Sequence, residues 1–163
     1  MSVVYDKVME YKNKYSGTIA WRLKKHCKVI EDYINPDEEV LYAFCGQKND
    51  CWYDITTSCV VVLTNKRLLI GQKRVVWGSF FTQITPDLYN DMKIYNGLFF
   101  GKIIIDSVKE VVTLSNLSKS SLDEIETNLA LYKFKYEMAV AEKSIKEEGT
   151  ISADELEAEL GIV

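Results

Sequence analysis

Residues 60–70 read VVVLTNKRLLI, which is an apolar run, a polar centre and a second apolar run. The two runs contain β-branched and aliphatic side chains, which favour buried strands. The centre, Thr64-Asn65-Lys66, suits a tight turn because Asn tolerates the left-handed backbone conformation that such turns use. The stretch therefore predicts an antiparallel hairpin made of strands 57–63 and 67–73.

Further strand-like runs lie on both sides of this hairpin. They occupy residues 40–44, 75–82, 91–100, 102–107 and 109–114. Because about seven strands follow one another with no room for crossover helices, the sheet is predicted to be antiparallel. Gly97 lies within one of these runs and Gly101 lies between two of them. Both glycines indicate bends, as a sheet needs when it curls into a barrel.

Helical periodicity precedes and follows the predicted sheet. Apolar residues spaced three and four apart predict helices over residues 2–15 and 18–34. A capping box at Ser121 and Glu124 predicts the start of a long helix. We expect that helix to close the open end of the sheet with one apolar stripe, made of Leu122, Ile125, Leu129, Tyr132, Tyr136 and Val140.

The C-terminal residues are predicted to act separately from the barrel. Residues 143–149 are charged and suggest a flexible joint, and a capping box at Ser152 and Glu155 suggests a short helix that reaches Leu160. The predicted organisation is therefore an N-terminal helical segment (1–37), a barrel with its capping helix (38–142), and a joint followed by a short helix (143–163).

The predicted order of elements resembles that of pleckstrin-homology (PH)-like domains. The LTNKRL hairpin between apolar strands is similar to that of bacterial PH-like domains, and residues 97–105, GLFFGKIII, are similar to their G-L-x-x-G-x-I-x-I pattern. The chain most resembles the YokE-like branch, over roughly residues 38–136. Residues 149–157 are similar to the short C-terminal helical tails that often follow such domains.

This resemblance implies a mainly β fold with helices, in which a curled antiparallel seven-stranded sheet is capped by a C-terminal helix. It also implies a binding or assembly module, because the family has no established enzymatic activity. Eukaryotic PH domains that grip phosphoinositides place several cations in the first hairpin loop. Residues 46–54, GQKNDCWYD, hold one Lys there, so phosphoinositide binding is not expected.

The composition limits the kinds of partner and the cellular location that we expect. A net charge of −4 argues against nucleic acid, whose phosphates require a basic excess. The four cysteines form no C-x-x-C pair, and no run is long enough to span a membrane. We therefore expect a cytoplasmic protein with buried, reduced thiols, no metal site and no cofactor.

The sequence gives little support for catalysis. The single histidine, His26, precedes Cys27, but adjacent helical residues do not face each other. The expected arrangement is a surface histidine beside a core cysteine, and the chain is predicted not to be an enzyme.

The residues alone favour one function and leave a second open as the alternative. The first is protein–protein contact, including self-association, through open strand edges and aromatic side chains that exceed what one sheet face can bury. The second is attachment to a membrane surface through a basic helix spanning residues 21–28. The candidate binding residues are Trp21, Arg22, Lys24, Lys25, Lys28, Lys66 and Arg67.

Overall fold

The computed structural model describes residues 2–51 and 53–147, which form two helices, seven strands and one long final helix. The helices are α1 (Val3–Lys14), α2 (Leu23–Glu31) and α3 (Leu122–Glu147). The strands are β1 (Val40–Gln47), β2 (Ser58–Thr64), β3 (Leu68–Lys73), β4 (Ser79–Ile84), β5 (Tyr89–Asn96), β6 (Gly101–Ser107) and β7 (Val111–Leu117). Short 3₁₀ turns at Pro86–Leu88 and Lys119–Ser121 precede β5 and α3.

The strands form one antiparallel sheet in the order β4-β3-β2-β1-β7-β6-β5. The predicted central hairpin is confirmed, since β2 pairs with β3 from Val60 opposite Gly71 to Leu63 opposite Leu68. Strand β1 pairs along its length with β2 but meets β7 through the pair Gln47 and Ser115. The sheet therefore consists of two halves joined at the end of β1, as predicted for a curled sheet.

Helix α3 closes this sheet as predicted. Leu122, Ile125, Leu129 and Tyr132 are buried in the common core with the inward side chains of the strands. Gly101 allows the close contact at the start of α3, because a Cβ there would lie 2.6 Å from a methyl carbon of Leu122. The expected stripe ends at Tyr132, since Val140 is exposed.

Helix α1 packs against β1. It buries Val4, Val8 and Tyr11, the apolar positions whose spacing predicted this helix. The Tyr11 hydroxyl donates a hydrogen bond of 2.8 Å to Ser121 Oγ and lies 3.2 Å from Thr18 Oγ1. These contacts connect α1 to the start of α3.

The second helix differs from its predicted bounds, because it begins at Leu23 and not at residue 18. Residues 18–22 are held outside the helix by tertiary hydrogen bonds, including that from the Ile19 N–H to the carbonyl of Asn116 at 2.9 Å. Arg22 then adopts a left-handed conformation with φ of 54°, which sets the direction in which α2 starts. The local apolar periodicity could not reveal these distant partners.

Further boundaries differ from the prediction. The strand expected over residues 91–100 ends at Asn96, because residues 97–100 form the connection to β6, closed by a hydrogen bond from the Gly97 N–H to the Phe100 carbonyl. The strand expected at residue 75 begins at Ser79, because residues 74–78 form the β3–β4 turn and Gly78 takes a positive φ of 78°. Residues 143–147, the first part of the expected joint, continue α3. The rest of that joint and the expected short helix at residues 152–160 lie outside the described residues.

Candidate functional site

Helix α2 lies unusually close to strand β3. A Cβ at Gly71 would come within 2.5 Å of Ile30 Cγ1 and 3.1 Å of the His26 carbonyl oxygen. A glycine in the strand therefore lets the helix backbone approach the sheet. This approach determines which surface residues of α2 stand beside the end of the β3–β4 hairpin.

The expected surface position of His26 is wrong, because its ring is 2% exposed. Nδ1 accepts a hydrogen bond of 2.7 Å from the Lys73 N–H, which anchors α2 to the last residue of β3. Burial, assisted by the charge of Arg22, lowers the pKa of His26 to about 4. The ring is therefore neutral at physiological pH and serves as a structural anchor.

Four cations from two elements line a groove between α2 and the β3–β4 hairpin. Arg22, Lys25 and Lys28 come from the α2 segment, and Lys73 comes from the end of β3. Asp32 also lines the groove, which has a volume of about 370 Å³. The formal charge of these five side chains is +3, so the groove is locally basic although the chain as a whole is acidic.

The β3–β4 turn beside this groove exposes apolar side chains. Val76 is 81% exposed and Trp77 is 83% exposed, and Val75 is also exposed. The turn is closed by a hydrogen bond of 3.2 Å from the Arg74 N–H to the carbonyl of Gly78. We call Val75, Val76 and Trp77 the apolar tip.

Cations also lie at the base of the apolar tip. The Arg74 guanidinium stands 3.9 Å from the centre of the Phe80 ring, a distance suited to a cation–π contact. Lys48 Nζ approaches the same ring at 5.8 Å. The tip therefore projects from a base made of an aromatic ring and positive charges.

The segment before α2 joins the groove to the apolar tip. Arg22 Nη1 donates to the Arg74 carbonyl at 3.5 Å, and its guanidinium lies 5.4 Å from the ring centre of Trp21. The indole N–H of Trp21 donates to the Ile55 carbonyl, and its backbone N–H donates to Ser58 Oγ at 3.2 Å. One end of the sheet thus brings together the pre-α2 segment, the β1–β2 loop and the β3–β4 turn.

A comparison with known protein families identifies the fold. The family model described as "Bacterial PH domain" matches residues 34–129, which is more than half of the chain. The chain belongs to the bacterial PH domain family. Its placement in the YokE-like branch stays a prediction.

Two solved structures from Shewanella species are similar to this bacterial PH domain. A DUF1696 family protein with a pleckstrin-homology domain, from Shewanella loihica, shares 12% sequence identity with this chain at a TM-score of 0.44. The match covers 69% of this chain and 98% of the other. A pleckstrin-homology domain from Shewanella amazonensis shares 17% identity at a TM-score of 0.45, covering 69% and 89%. No curated protein matches the chain.

The first hairpin loop of this bacterial PH domain engages its charges internally. Lys48 lies 3.8 Å from Glu110, and Lys102 reaches Asp50 at 2.8 Å. Asn49 organises the loop by donating to the carbonyl of Asp54 at 2.8 Å. The loop therefore presents no cluster of cations of the kind that grips a phosphoinositide.

The predicted site residues divide into two groups. Arg22, Lys25 and Lys28 line the basic groove, whereas Lys24 is exposed outside it. Trp21 is partly exposed but its indole N–H is already engaged. The structure therefore brings together three of the five candidates from residues 21–28.

Lys66 and Arg67 lie at the other end of the β2–β3 hairpin and make structural ion pairs. Lys66 pairs with Asp37, and Arg67 contacts Glu38 Oε1 through Nε at 3.0 Å and through Nη2 at 2.7 Å. Arg67 Nη2 also donates to the Tyr33 carbonyl at 2.9 Å. These two cations are therefore separate from the groove.

The sequence analysis missed the contribution of the β3–β4 turn. Residues 75–82 were predicted as one strand, so the turn was not expected, and Trp77 was counted only among the aromatic side chains that one sheet face could not bury. Gly78 was the available signal, because glycine after a short apolar run is typical of a turn. The sequence shows that Lys73 and Arg74 are basic, but their proximity to α2 depends on the packing of His26 and Ile30.

The described residues hold no cluster of potential metal ligands, and three of their cysteine thiols are buried. No group of three His, Cys, Asp or Glu side chains converges within residues 2–51 and 53–147. Burial raises the pKa of Cys27, Cys45 and Cys59 to about 12, so these thiols stay protonated. In the same part of the chain, the helices are too short or too polar to cross a membrane.

A second exposed apolar turn lies between β5 and β6. Leu98 is 83% exposed and Phe99 is 75% exposed. Its nearby cation, Lys102, is paired with Asp50. The β3–β4 turn differs because a groove lined by four cations lies next to it.

Proposed function

We propose that this bacterial PH domain is a non-enzymatic binding module that attaches to the surface of an anionic membrane. The observation that carries this proposal is the apolar tip, with Val76 and Trp77 more than four-fifths exposed beside the basic groove. In the bound state the tip enters the lipid headgroup layer, and the groove cations face the anionic headgroups. The cytoplasmic location expected from the sequence would present this site to the inner leaflet.

Each part of the site contributes a separate physical attraction. Tryptophan favours the boundary between water and lipid, because its ring is apolar and its N–H is polar. Each Lys or Arg near an anionic surface contributes about 1 kcal/mol, and salt screens this contribution. The four groove cations and Arg74 therefore supply an attraction that the net charge of −4 conceals.

This proposal changes the membrane contact that the sequence suggested. The sequence suggested that one basic helix, residues 21–28, lies on the membrane surface. The indole N–H of Trp21 instead donates to Ile55, and Arg22 bonds to the β3–β4 turn. The groove supplies the charges, and Trp77 supplies the apolar contact.

The described side chains also favour binding over catalysis. His26 accepts a backbone hydrogen bond and is held neutral, so it does not sit beside a nucleophile as a general base. The thiols of Cys27, Cys45 and Cys59 are buried and protonated. These residues stabilise the barrel, and the proposed surface consists of exposed side chains.

Flotation with lipid vesicles tests the membrane proposal. The protein is expected to bind vesicles of phosphatidylcholine with phosphatidylglycerol, but not vesicles of pure phosphatidylcholine, and to dissociate at high salt. Trp77→Ala should weaken binding by at least tenfold, because burying a large apolar side chain contributes about 1.5–3 kcal/mol. Lys25→Glu combined with Lys28→Glu should abolish detectable binding.

Lys146→Glu is the matched control. Lys146 is exposed near the end of α3. Helix α3 borders a groove with Asn65 and Lys66, which lie at the end of the β2–β3 hairpin opposite to the apolar tip. The control therefore reverses a charge on an element away from the proposed site. The control should bind vesicles like the parent protein. Equal binding to neutral and anionic vesicles, or equal loss in Lys146→Glu and the groove variant, would contradict the proposed site.

Protein–protein contact, which the sequence analysis placed first, becomes the second candidate function. It is favoured by apolar side chains along the outer face of α3, which the proposed membrane site leaves unused. The strand edges and aromatics that the sequence suggested are less favourable. Phe81 of the outer strand β4 is already stacked on Tyr33 of the α2 end, with ring centres 4.2 Å apart.

A further inference from the structure

Helix α3 has a second apolar face beyond the one that closes the barrel. Its buried contacts with the core end at Tyr132, but the helix continues to Glu147. Leu131, directly before Tyr132, is 51% exposed. Beyond Tyr132, Phe134, Met138 and Ile145 are between 47% and 65% exposed, and Ala141 is also exposed. We call these five residues the outer stripe: Leu131, Phe134, Met138, Ala141 and Ile145.

The outer stripe has the spacing of a coiled-coil seam. Its members follow one another at steps of three, four, three and four residues, which is the a and d pattern of a heptad repeat. At about 100° per residue, the stripe lies nearly opposite the helix face that carries Ile125 and Tyr132. On the barrel side, Tyr136 and Ala139 border a groove with Leu41 and Pro86. A partner could therefore bind the stripe without displacing the barrel contacts.

We propose that the outer stripe binds the outer stripe of a second copy of this chain, as an antiparallel two-helix coiled coil. The proposal rests on protein–protein contact as the second candidate function and is independent of membrane attachment. One register pairs four stripe residues of each helix with four of the other. In it, Phe134 packs on Ile145 of the second copy and Met138 packs on Ala141 of the second copy, and the two-fold symmetry repeats both pairs. A long side chain thus faces a small one in both central layers, which fills the seam evenly.

The charged residues beside the stripe select the antiparallel direction. In that direction Lys135 lies beside Glu142 of the second copy, and two-fold symmetry repeats this attractive pair. In a parallel pair, Glu137 would lie beside Glu142 of the second copy, so two repulsive pairs would form. A second copy in the antiparallel direction is therefore the partner that fits both the apolar and the charged residues.

The length of the helix leaves room for both barrels. In this register the Tyr132 residues of the two copies lie about 22 Å apart along the helix axis. Each barrel then flanks the opposite end of the helix pair. The exposed side chains of the stripe amount to a few hundred Å² per chain, roughly the size of the largest apolar patch on a typical monomer, which is often functional. Because this area is small, we expect a reversible dimer.

Analytical ultracentrifugation of the full chain across a hundredfold range of concentration tests the proposal. The parent protein should shift from 18.7 kDa towards twice that mass as concentration rises. Lys135→Glu and Glu142→Lys should each weaken dimerisation about tenfold, because two attractive pairs become repulsive. The combined variant, Lys135→Glu with Glu142→Lys, should restore the parental dissociation constant within a few-fold.

Glu126→Lys is the matched control, since it reverses an exposed charge on α3 away from the stripe. It should dimerise like the parent protein. Strengthening of the dimer by Glu142→Lys would indicate the parallel direction and overturn the proposal. A parent protein that stays monomeric throughout, or a dimer that ignores both single charge reversals, would overturn it as well.

Met138→Arg separates this surface from the other candidate surfaces. The variant should be monomeric, keep its helical circular dichroism and still bind anionic vesicles, whereas Trp77→Ala should still dimerise. A dimer that persists in folded Met138→Arg would place self-association elsewhere. A chain that dimerises only after removal of residues 148–163 would show that its own tail covers the stripe. Either result would overturn the proposal.

Discussion

His26 gives the stability of this protein a pH dependence that can be isolated, because it is the only histidine in the chain. Histidine is the side chain whose ordinary pKa lies between pH 5 and 8. In the folded state, burial and then the charge of Arg22 lower the pKa of His26 from 6.5 to about 4. Protonation would also place an Nδ1–H against the Lys73 N–H, where two donors face each other.

The sign of the effect follows from the proton balance. Because the folded pKa lies below the unfolded one, the unfolded chain binds more protons between pH 4 and 6.5. The contribution of the neutral His26 ring to the free energy of unfolding is therefore fully present above pH 6.5, and it is lost as the pH falls towards 4. The full difference between the unfolded and folded pKa values of His26 corresponds to about 3 kcal/mol of stability. About 2 kcal/mol of this is lost between pH 7.5 and 5.0.

Denaturant titrations at pH 7.5, 6.5 and 5.0 measure this loss. In His26→Asn the amide oxygen can accept the same hydrogen bond from the Lys73 N–H, but the side chain does not titrate. The parent protein should lose about 2 kcal/mol over this range. The variant should be less stable at pH 7.5, because it fills less of the core, and its free energy of unfolding should change little with pH.

Two results would refute this reasoning. One is a parent protein that loses less than about 0.5 kcal/mol between pH 7.5 and 5.0, since the folded pKa would then be nearly ordinary. The other is an equal loss in the parent and in His26→Asn, which would assign the pH dependence to other groups. An NMR titration of the His26 ring would provide an independent measurement of the folded pKa.

Further substitutions test the packing around the site in the same denaturant assay. Arg67→Ala should cost about 3 kcal/mol. Burial alone would raise the pKa of the Glu38 carboxyl, but the Arg67 guanidinium holds it below its usual range. The substitution removes this guanidinium and leaves a buried carboxylate without its charged partner. Gly71→Ala should destabilise by about 1–3 kcal/mol, because the new methyl group overlaps Ile30. Leu129→Ala should cost about 2–5 kcal/mol, and a change within error would place Leu129 outside the core.

The sequence predicted the elements whose signals are local. The hairpin at residues 60–70 was confirmed because the apolar runs and the Asn-containing turn lie within one short stretch. The start of α3 and its buried residues were confirmed because helical spacing begins at Leu122. The side chains of the expected capping box have other partners, since Ser121 Oγ donates to the Ser118 carbonyl and the Glu124 carboxylate pairs with Lys14. Neighbouring residues produce these signals, and no knowledge of the fold is needed to use them.

The outer stripe of α3 was absent from the sequence prediction, although its residues have regular spacing. The expected stripe was extended from Tyr132 to Val140 on the assumption that the sheet covers the whole helix. The barrel contacts end earlier, and Phe134 and Met138 stand on the other side. Spacing alone reveals apolar faces, but only the packed barrel shows which face it covers and for how far.

The sequence by itself determined the antiparallel sheet and its capping helix, because strand alternation, turn residues and helical spacing are properties of consecutive residues. Only the tertiary structure decided the basic groove. It buried His26, placed Ile30 against Gly71 and thereby brought Arg22, Lys25 and Lys28 beside Lys73. Lys73 lies more than forty positions along the chain from the three cations of the α2 segment. Their proximity depends on a helix packing on a strand, and no local pattern of residues encodes that contact.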